Sequence, residues 1–427
     1  MKPTLTGIGD IALYIPRAEM KLSELVSRRA AEKPELETHL KRAQETTGQE
    51  RFRFPSFWED TATLAAEAAR SLTARMRSEQ LRSLRFLASG TETSVDHSKP
   101  VSAYVQGMLH QIQAGVPESI ASYQVQHACA GGALAAITVG SVLALNPERR
   151  ESGIVVSSDI ARYETSTTAE VTQGSGAAAL LVETNPRLLS LDLDTQGFHS
   201  RDVDDFFRPL GAVTASVRGG YSMKCYVESM HAALADHARR SGVDAATVLR
   251  ETDLFVLHAP FRNMPVVAMN RILGDVLGYS AQDSADFLES RGFSAAIDPV
   301  SRIGNTYTAS LFVSLAFLLA DRFRVLGRAI AGKKVLLVSY GSGNTMAVIS
   351  GTVSPDAPAV IASWDLSTVW RAAQAASMSE YDEWLDRPNM NTTYNTVLSG
   401  KEIPVGAFYL ESIRSDGYRI YRAQAHA

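Results

Sequence analysis

The sequence predicts an α/β protein made of two similar halves, and three observations predict it. Short apolar runs that read as strands alternate with Ala- and Leu-rich stretches that read as helices. Each half closes on a small-residue segment beside an apolar strand: Gly174 to Val182 in the first, and Val335 to Ser339 entering Tyr340-Gly341-Ser342-Gly343 in the second. The order of elements before these closing segments repeats, which an internal duplication explains better than two unrelated domains.

In chain order, Leu5 to Ile15 is apolar and punctuated by turn residues, as an opening strand would be. Residues 20 to 50 are charged and helical in pattern, holding Lys21, Glu24, Arg28, Arg29 and Glu32. Thr61 to Met76 is a second helix, Leu84 to Ala88 a strand running into a loop at Ser89-Gly90, and Lys99 to Gln113 a third helix. Tyr123 to Gln126 reads as a strand, His127 to Gly132 as a tight turn and Ala133 to Leu145 as a buried helix. Gly153 to Ser157 and Gly174 to Val182 complete the strands of the first half. In the second half, Tyr221 to Arg240 is a long helix, and Leu254 to Leu257 is a buried strand ending at His258. Tyr307 to Leu319 is a buried helix, and Val335 to Ser339 is the closing strand. These patterns divide the chain into residues 1–188, 189–352 and 353–427, the last a Pro-, Asp- and Ser-richer appendage and not a third domain.

Composition narrows the function. Across 427 residues, hydrophobic residues make up 45% and charged residues 21%, as in ordinary soluble proteins. The formal net charge of −4 gives no general attraction to nucleic acid or to an anionic membrane, so neither is an expected partner. The longest apolar run, Ser310 to Ala320, is too short to span a bilayer. The nine histidines show no metal-ligand spacing, and neither a metal nor a redox cofactor is expected. Two cysteines, Cys129 and Cys225, are too few for a disulfide framework and suit a reducing compartment; with no clean signal-peptide core at the N-terminus, the expected location is the cytoplasm.

Cys129 stands where a strand turns sharply into a helix, between Ala128, Ala130 and the glycines 131 and 132. Small neighbours let a carbonyl group approach the sulfur, and a helix N-terminus favours thiolate, so a lowered thiol pKa is expected there. Taken alone, the segment suits a buried core cysteine equally well. Cys225 lies within a helix, with no such turn, and reads as structural. A thioester-forming cysteine needs a proton-handling partner and groups that stabilise an oxyanion. His258, at the exit of a buried strand, and Asn305, on the Gly304-Asn305-Thr306-Tyr307 turn, supply the residue types at matching places.

Cys, His and Asn in that order on a duplicated α/β chain resemble the thiolase superfamily, and within it the hydroxymethylglutaryl-CoA synthase family. The likeness runs over nearly the whole length. It is carried by Gly90-Thr91-Glu92-Thr93-Ser94, Ser158-Asp159-Ile160-Ala161-Arg162-Tyr163, Thr172-Gln173-Gly174-Ser175-Gly176-Ala177 and Asp205-Phe206-Phe207-Arg208-Pro209. Tyr221-Ser222-Met223-Lys224-Cys225-Tyr226, His258-Ala259-Pro260-Phe261, Gly304-Asn305-Thr306-Tyr307 and Ser339-Tyr340-Gly341-Ser342-Gly343 carry it through the second half, and Gly406 to Leu410 with Tyr418 and Tyr421 through the tail.

The resemblance implies a thiolase-like fold in five α-β-α-β-α layers and a homodimer formed through the first half. It implies that Cys129 takes acetyl from acetyl-CoA, that Glu92 is the general base, and that His258 protonates the alkoxide formed on acetoacetyl-CoA. Both thioesters are substrates, not cofactors. Asn305 and Ser342 would hold the acceptor, with Thr172, Ser222 and Tyr307 as further contacts, while Asp159, Tyr163, Asp205 and Phe206 line the pocket and support Glu92 and Cys129. Glu92 separates this family from ketoacyl synthase III enzymes; without the resemblance it reads as a solvated loop acid.

Two positions depart from the family. Where it has Ala-Cys-Tyr, this chain has Ala128-Cys129-Ala130, which predicts extra space beside the sulfur. Where many members place CoA-contacting lysines five and nine residues after the histidine, this chain has Asn263 and Val267, with Arg262 nearby as the compensating cation. The expected reaction is therefore the synthesis of hydroxymethylglutaryl-CoA in the mevalonate and isoprenoid pathway. The alternatives are the same chemistry on acyl carrier protein substrates in polyketide β-branching, a ketoacyl synthase III-like condensation, and a non-catalytic scaffold that binds acyl thioesters.

Overall fold

The computed structural model describes residues 5–386 and 403–425; the parts of the N-terminal and tail readings at 1–4, 387–402 and 426–427 lie outside them. The chain opens with β1 (Thr6–Tyr14), β2 (Ala18–Lys21), α1 (Leu22–Glu32), α2 (Glu37–Thr47), β3 (Arg51–Phe54) and α3 (Thr61–Thr73). The first half continues with α4 (Ser78–Arg82), β4 (Leu84–Gly90), α5 (Val101–Gln111), β5 (Ala121–Val125), α6 (Gly131–Ala144), β6 (Ser152–Ala161) and β7 (Gly174–Thr184). There follow β8 (Leu189–Leu191), β9 (Gly197–Ser200), β10 (Phe206–Phe207), β11 (Ser216–Val217), α7 (Gly219–Arg240), α8 (Ala245–Glu251) and β12 (Leu254–Leu257). The second half ends with α9 (Asn263–Leu277), α10 (Ala281–Glu289), α11 (Ser294–Ile297), α12 (Val300–Ile303), α13 (Ser310–Leu326), β13 (Lys334–Gly341) and β14 (Thr345–Val353). The tail carries α14 (Ala357–Ala362), α15 (Ser367–Arg371), β15 (Gln374–Ala375), α16 (Met378–Asp386), β16 (Phe408–Ile413) and β17 (Arg419–Ala423).

The main sheet runs β12-β13-β14-β8-β1-β7-β6-β4-β5, with β9 paired to β14. Its two ends are parallel pairs, β12 with β13 and β4 with β5 and β6, while the middle is antiparallel. Parallel strands buried on both faces read as continuous aliphatic runs, which is why Leu254 to Leu257 and Val335 to Val338 are apolar at every position. Helices α6 and α13 share one core with strands from both arms, through Ala135, Val139, Leu311 and Leu315. An outer core packs α3 and α5 on the other face of β1, β4, β6 and β7, and α7, with α9 packed beside it, covers β9 and β14. This is the expected layering, with a helical layer between two sheet arms and one outside each.

The helical stretch expected over residues 20 to 50 is interrupted at Pro34, which cannot continue α1, and α2 ends at Gly48 in a left-handed conformation. Helix α3 begins at Asp60, whose carboxylate accepts from the backbone of Ala62 and Thr63 while the Thr63 hydroxyl accepts from Asp60 N–H. The tail packs closely on the rest of the chain. Tyr381 and Trp384 of α16 meet Phe52 and Phe54 in a core of their own, and Phe408, Leu410 and Tyr421 of the β16–β17 hairpin enter the core of α3 and α5.

Candidate active site

Two strand-to-helix corners meet because glycine occupies the contact. A Cβ on Gly90, at the end of β4, would lie 2.3 Å from the backbone N of Gly132, and one on Gly132 would lie 2.1 Å from the Ser157 hydroxyl. The loop after β4 and the turn after β5 therefore press together, and they carry Glu92 and Cys129. The turn holds Ala128 at φ 40°, a left-handed conformation that costs a residue with a Cβ about 1 kcal/mol or more. Local strain of this kind lifts the next side chain, Cys129, into a cavity.

Cys129 Sγ donates to Glu92 Oε1 at 3.0 Å. Burial, reinforced by the charge of Asp159, pushes the Glu92 carboxyl up to about 8, against the hydrogen bond from Cys129 and the charge of Arg208. The thiol departs from the lowered pKa expected at a helix start. Burial and the facing Glu92 push it well up, because a carboxylate in contact outweighs the fractional charge of a helix end.

Asp159, fully buried on β6, organises the site from behind. Its Oδ1 accepts from the Thr91 hydroxyl (2.8 Å), Glu92 N–H (2.9 Å), Thr93 N–H (3.0 Å) and the Thr93 hydroxyl (2.6 Å). Its Oδ2 accepts from Thr308 N–H at 3.0 Å and the Thr308 hydroxyl at 2.5 Å. One carboxylate thus fixes the Glu92 loop to the turn that enters α13.

That turn needs Gly304. It sits at φ 84°, and a Cβ there would lie 1.9 Å from the Gln173 carbonyl oxygen. Asn305 follows; its Oδ1 accepts from Tyr307 N–H at 2.9 Å and its Nδ2 lies 3.5 Å from the Tyr163 hydroxyl. Tyr307, at φ 44°, joins Tyr163 and Phe206 in an edge-to-face cluster with centroids 5.8 to 6.4 Å apart. His258 leaves β12 only 3% exposed, its Nδ1 buried without a hydrogen-bond partner, and burial alone depresses its pKa to about 3. The ring is accordingly neutral at physiological pH. Asp205, also fully buried, accepts from the Tyr340 hydroxyl (2.8 Å), the Ser222 hydroxyl (3.1 Å) and Gly343 N–H (2.8 Å), which ties α7 to the Ser342–Gly343 turn.

These elements enclose a cavity of about 810 Å³, lined by Cys129, Tyr163, Thr172, Phe206, Ser222, His258, Asn305, Tyr307 and Ser342. Glu92, Asp159 and Asp205 are outside that lining and act on it through Cys129, the Thr308 turn and Ser222. Arg262 does not reach the cavity: its guanidinium pairs with Asp298 at 2.8 Å and bonds to Asn263, which in turn bonds to the end of α2. Nor does Ala130 open space beside the sulfur. It is fully buried, outside the lining, and a Cβ on Gly341 would come within 2.8 Å of its own. Sequence reasoning missed His39, Arg42, Ala43 and Thr46, which line the cavity from α2. Their spacing of three and four residues along one helix face was the available signal.

Among the described residues, no group of three or more His, Cys, Asp or Glu is placed to hold a metal ion, and no helix is long and apolar enough to cross a membrane. Comparison with known proteins gives a consistent result. Residues 2–186 match the family model for the N-terminal part of hydroxymethylglutaryl-coenzyme A synthase, and residues 275–424 match the model for its C-terminal part. Hydroxymethylglutaryl-CoA synthase of Enterococcus faecalis is 28% identical over 345 residues, spanning 81% of this chain and 82% of that protein. The solved structure of MvaS in complex with 3-hydroxy-3-methylglutaryl coenzyme A superposes with a TM-score of 0.85 at 31% identity, covering 99% of this chain and 100% of that one. The polyketide biosynthesis 3-hydroxy-3-methylglutaryl-ACP synthase PksG of Bacillus subtilis is 24% identical over 314 residues, 70% of each chain.

Proposed function

The chain belongs to the hydroxymethylglutaryl-CoA synthase family of condensing acyltransferases, and on that footing we propose that it joins an acetyl unit carried on Cys129 to acetoacetyl-CoA, giving 3-hydroxy-3-methylglutaryl-CoA. The thiol attacks the acetyl thioester, its proton passing to Glu92 and on to the departing CoA sulfur. Glu92 then takes a proton from the acetyl methyl group, and the resulting enolate carbon bonds to the acceptor's ketone carbon. The ketone oxygen becomes an alkoxide that regains a proton, balancing the one Glu92 removed. Neutral His258 donates a hydrogen bond to that oxygen as charge develops, the first stage of the proton delivery that the resemblance implies. Asn305, Ser342, Thr172 and Ser222 contact the acceptor, and water finally cleaves the Cys129 thioester.

The observation that carries this reading is Glu92 in hydrogen-bond contact with Cys129, held at a pKa of about 8 by burial. A base that removes a proton beside a thioester needs such a raised pKa and a position against the sulfur that bears the acetyl group. A ketoacyl synthase III-like condensation makes no use of that carboxylate.

The same reading makes the enzyme a cytoplasmic homodimer of the mevalonate pathway, divided at about residues 188 and 352. Two free cysteines, one of them the nucleophile, suit a reducing compartment. Strand β5 is the outermost strand of the sheet beside the nucleophile and carries neither charge nor proline, which suits pairing with a second copy. A second reading, condensation on acyl carrier protein substrates, is favoured by one observation. Arg262 pairs with Asp298, and Asn263 and Val267 stand where the family's lysines meet CoA, so α9 lacks the cations that the family presents to the nucleotide.

The test is incubation with acetyl-CoA and acetoacetyl-CoA, with Cys129→Ala as the blank and product read by mass spectrometry. Hydroxymethylglutaryl-CoA that disappears in the variant supports the first reading. Acetyl-Cys129 without product shifts it to carrier-bound acceptors, and neither species would remove free acetyl-CoA as the donor.

A further inference from the structure

Glu92 is held by more than Asp159. Thr93, the next residue, donates its hydroxyl hydrogen to Asp159 Oδ1 at 2.6 Å, and Thr93 Oγ1 lies 3.1 Å from the Thr61 hydroxyl, which therefore donates to it. Ile160 N–H also points to Thr93 Oγ1, at 3.2 Å. Thr61 opens α3, directly after the capping residue Asp60, and its carbonyl accepts from Ser158 at 2.8 Å. Asp60 is itself gripped from the far end of the chain. Its Oδ2 accepts from the Tyr421 hydroxyl at 2.7 Å and from Arg419 at 2.9 Å, both on β17. Phe408 N–H of β16 bonds to Glu67 on the same helix at 2.7 Å. Hydrogen bonds on the neighbouring side chains of Asp60 and Thr61 thus link the C-terminal hairpin, through the start of α3, to the loop of the base. Asp60 (8% exposed) and Thr61 (2%) are buried, so water offers little substitute for a lost partner.

We propose that Thr93, braced by Thr61, is a positioning residue that sets Glu92 against Cys129, with the C-terminal hairpin as the anchor of that brace. The inference rests on Glu92 acting as the base. Thr93 touches no reacting atom; its hydroxyl fixes the loop on the C-terminal side of Glu92, as that of Thr91 does on the other side. Without it the carboxylate moves away from the sulfur towards solvent.

Three variants of the full chain test this: Thr93→Val, which keeps the shape and loses the hydroxyl; Thr93→Ser, which keeps the hydroxyl; and Thr61→Val combined with Thr93→Val. Condensation kinetics are measured together with the pH dependence of Cys129 alkylation by iodoacetamide, which follows the carboxyl beside the thiol whatever the substrate. Thr93→Val is expected to lower kcat about tenfold, leave KM within about twofold, and remove the inflection set by the carboxyl, leaving alkylation to follow the thiol alone. Thr93→Ser should restore most of both, and the double variant should be no worse than Thr93→Val, since the two hydroxyls act as one unit. An unmoved inflection in Thr93→Val overturns the proposal, as does a Thr93→Ser variant impaired to the same degree. Wild-type protein that forms no condensation product would sink the functional reading, while the alkylation profiles still decide the positioning.

Discussion

Cys129 Sγ and Glu92 Oε1 share a hydrogen across 3.0 Å, which makes thiol and carboxylate one titrating unit. Burial raises the pKa of both; contact with Glu92 raises that of the thiol further, while the hydrogen bond from Cys129 opposes the rise at Glu92. A nucleophile with a facing carboxylate is poorly ionised at rest, so its reactivity depends on the carboxylate being able to accept its proton.

Condensation should therefore rise with pH through about 8, the value to which burial and Asp159 push Glu92, because only the deprotonated carboxylate can act as the base. Glu92→Gln should lower the rate by about 10²- to 10⁴-fold and abolish that limb of the profile. A wild-type profile that levels off by pH 6 would count against this arrangement.

Asp159 contributes in two opposing ways. It holds the Glu92 loop through Thr91, Glu92 N–H and Thr93, and its charge raises the Glu92 pKa. Asp159→Asn should slow condensation by about tenfold to a hundredfold, through lost charge-assisted hydrogen bonds. The surviving activity should have its acidic limb at lower pH than wild type. A limb that stays in place while the rate falls would show the charge of Asp159 to be irrelevant.

The linkage of Glu92 to stability runs opposite to that of an ion-paired carboxylate. Its folded pKa, about 8, lies above the unfolded value, so the folded state binds the extra proton between about pH 4.5 and 8. Stability contributed by that proton is present at low pH and is lost as pH rises through 8. Glu92→Gln should raise the melting temperature at pH 8.5 by on the order of 2 °C and change it little at pH 5. An equal shift at both values would exclude the linkage.

The secondary structure was largely legible in the sequence, because strands buried on both faces leave aliphatic runs and the corners beside them leave clusters of small residues. Leu254 to Leu257 before His258 and Tyr123 to Gln126 before Cys129 are such cases. The protonation states were not legible. A helix start implies a lowered thiol pKa at Cys129, and burial together with Glu92, 37 residues away in the chain, reverses it. Arg262 seemed a cation for CoA because no sequence rule reveals that Asp298 has taken it. The tail's part was hidden for a similar reason, since Asp60 and Tyr421 meet across 361 residues of chain.

Gly304 supports the acceptor side as Gly90 and Gly132 support the nucleophile. Gly304→Ala would place a Cβ 1.9 Å from Gln173 O in a left-handed conformation, so backbone must move. A loss of about 2–4 kcal/mol in unfolding free energy is expected, with Asn305 and Tyr307 displaced. Denaturant unfolding checks the first and acceptor KM the second; a variant as stable as wild type would mean that this turn relaxes freely.

His258 is buried with Nδ1 unpartnered, and burial takes its pKa down to about 3. An ordinary histidine would protonate near pH 6.5 and add a second acidic limb to the rate profile. Here the ring stays neutral through that range, so log rate should fall with slope one from pH 8 down to 5, reflecting Glu92 alone. The neutral ring still has one N–H to offer, and a developing alkoxide is a far better acceptor than the ketone it replaces, so the bond strengthens as the transition state is reached. His258→Ala should therefore lower kcat by about 10²- to 10³-fold and leave the binding of acetoacetyl-CoA within a few-fold of wild type. The slope of one should persist in the variant. A basic limb in the wild type that disappears in His258→Ala would show that the protonated histidine is the working form, and the hydrogen-bonding role would give way to proton transfer from a charged ring.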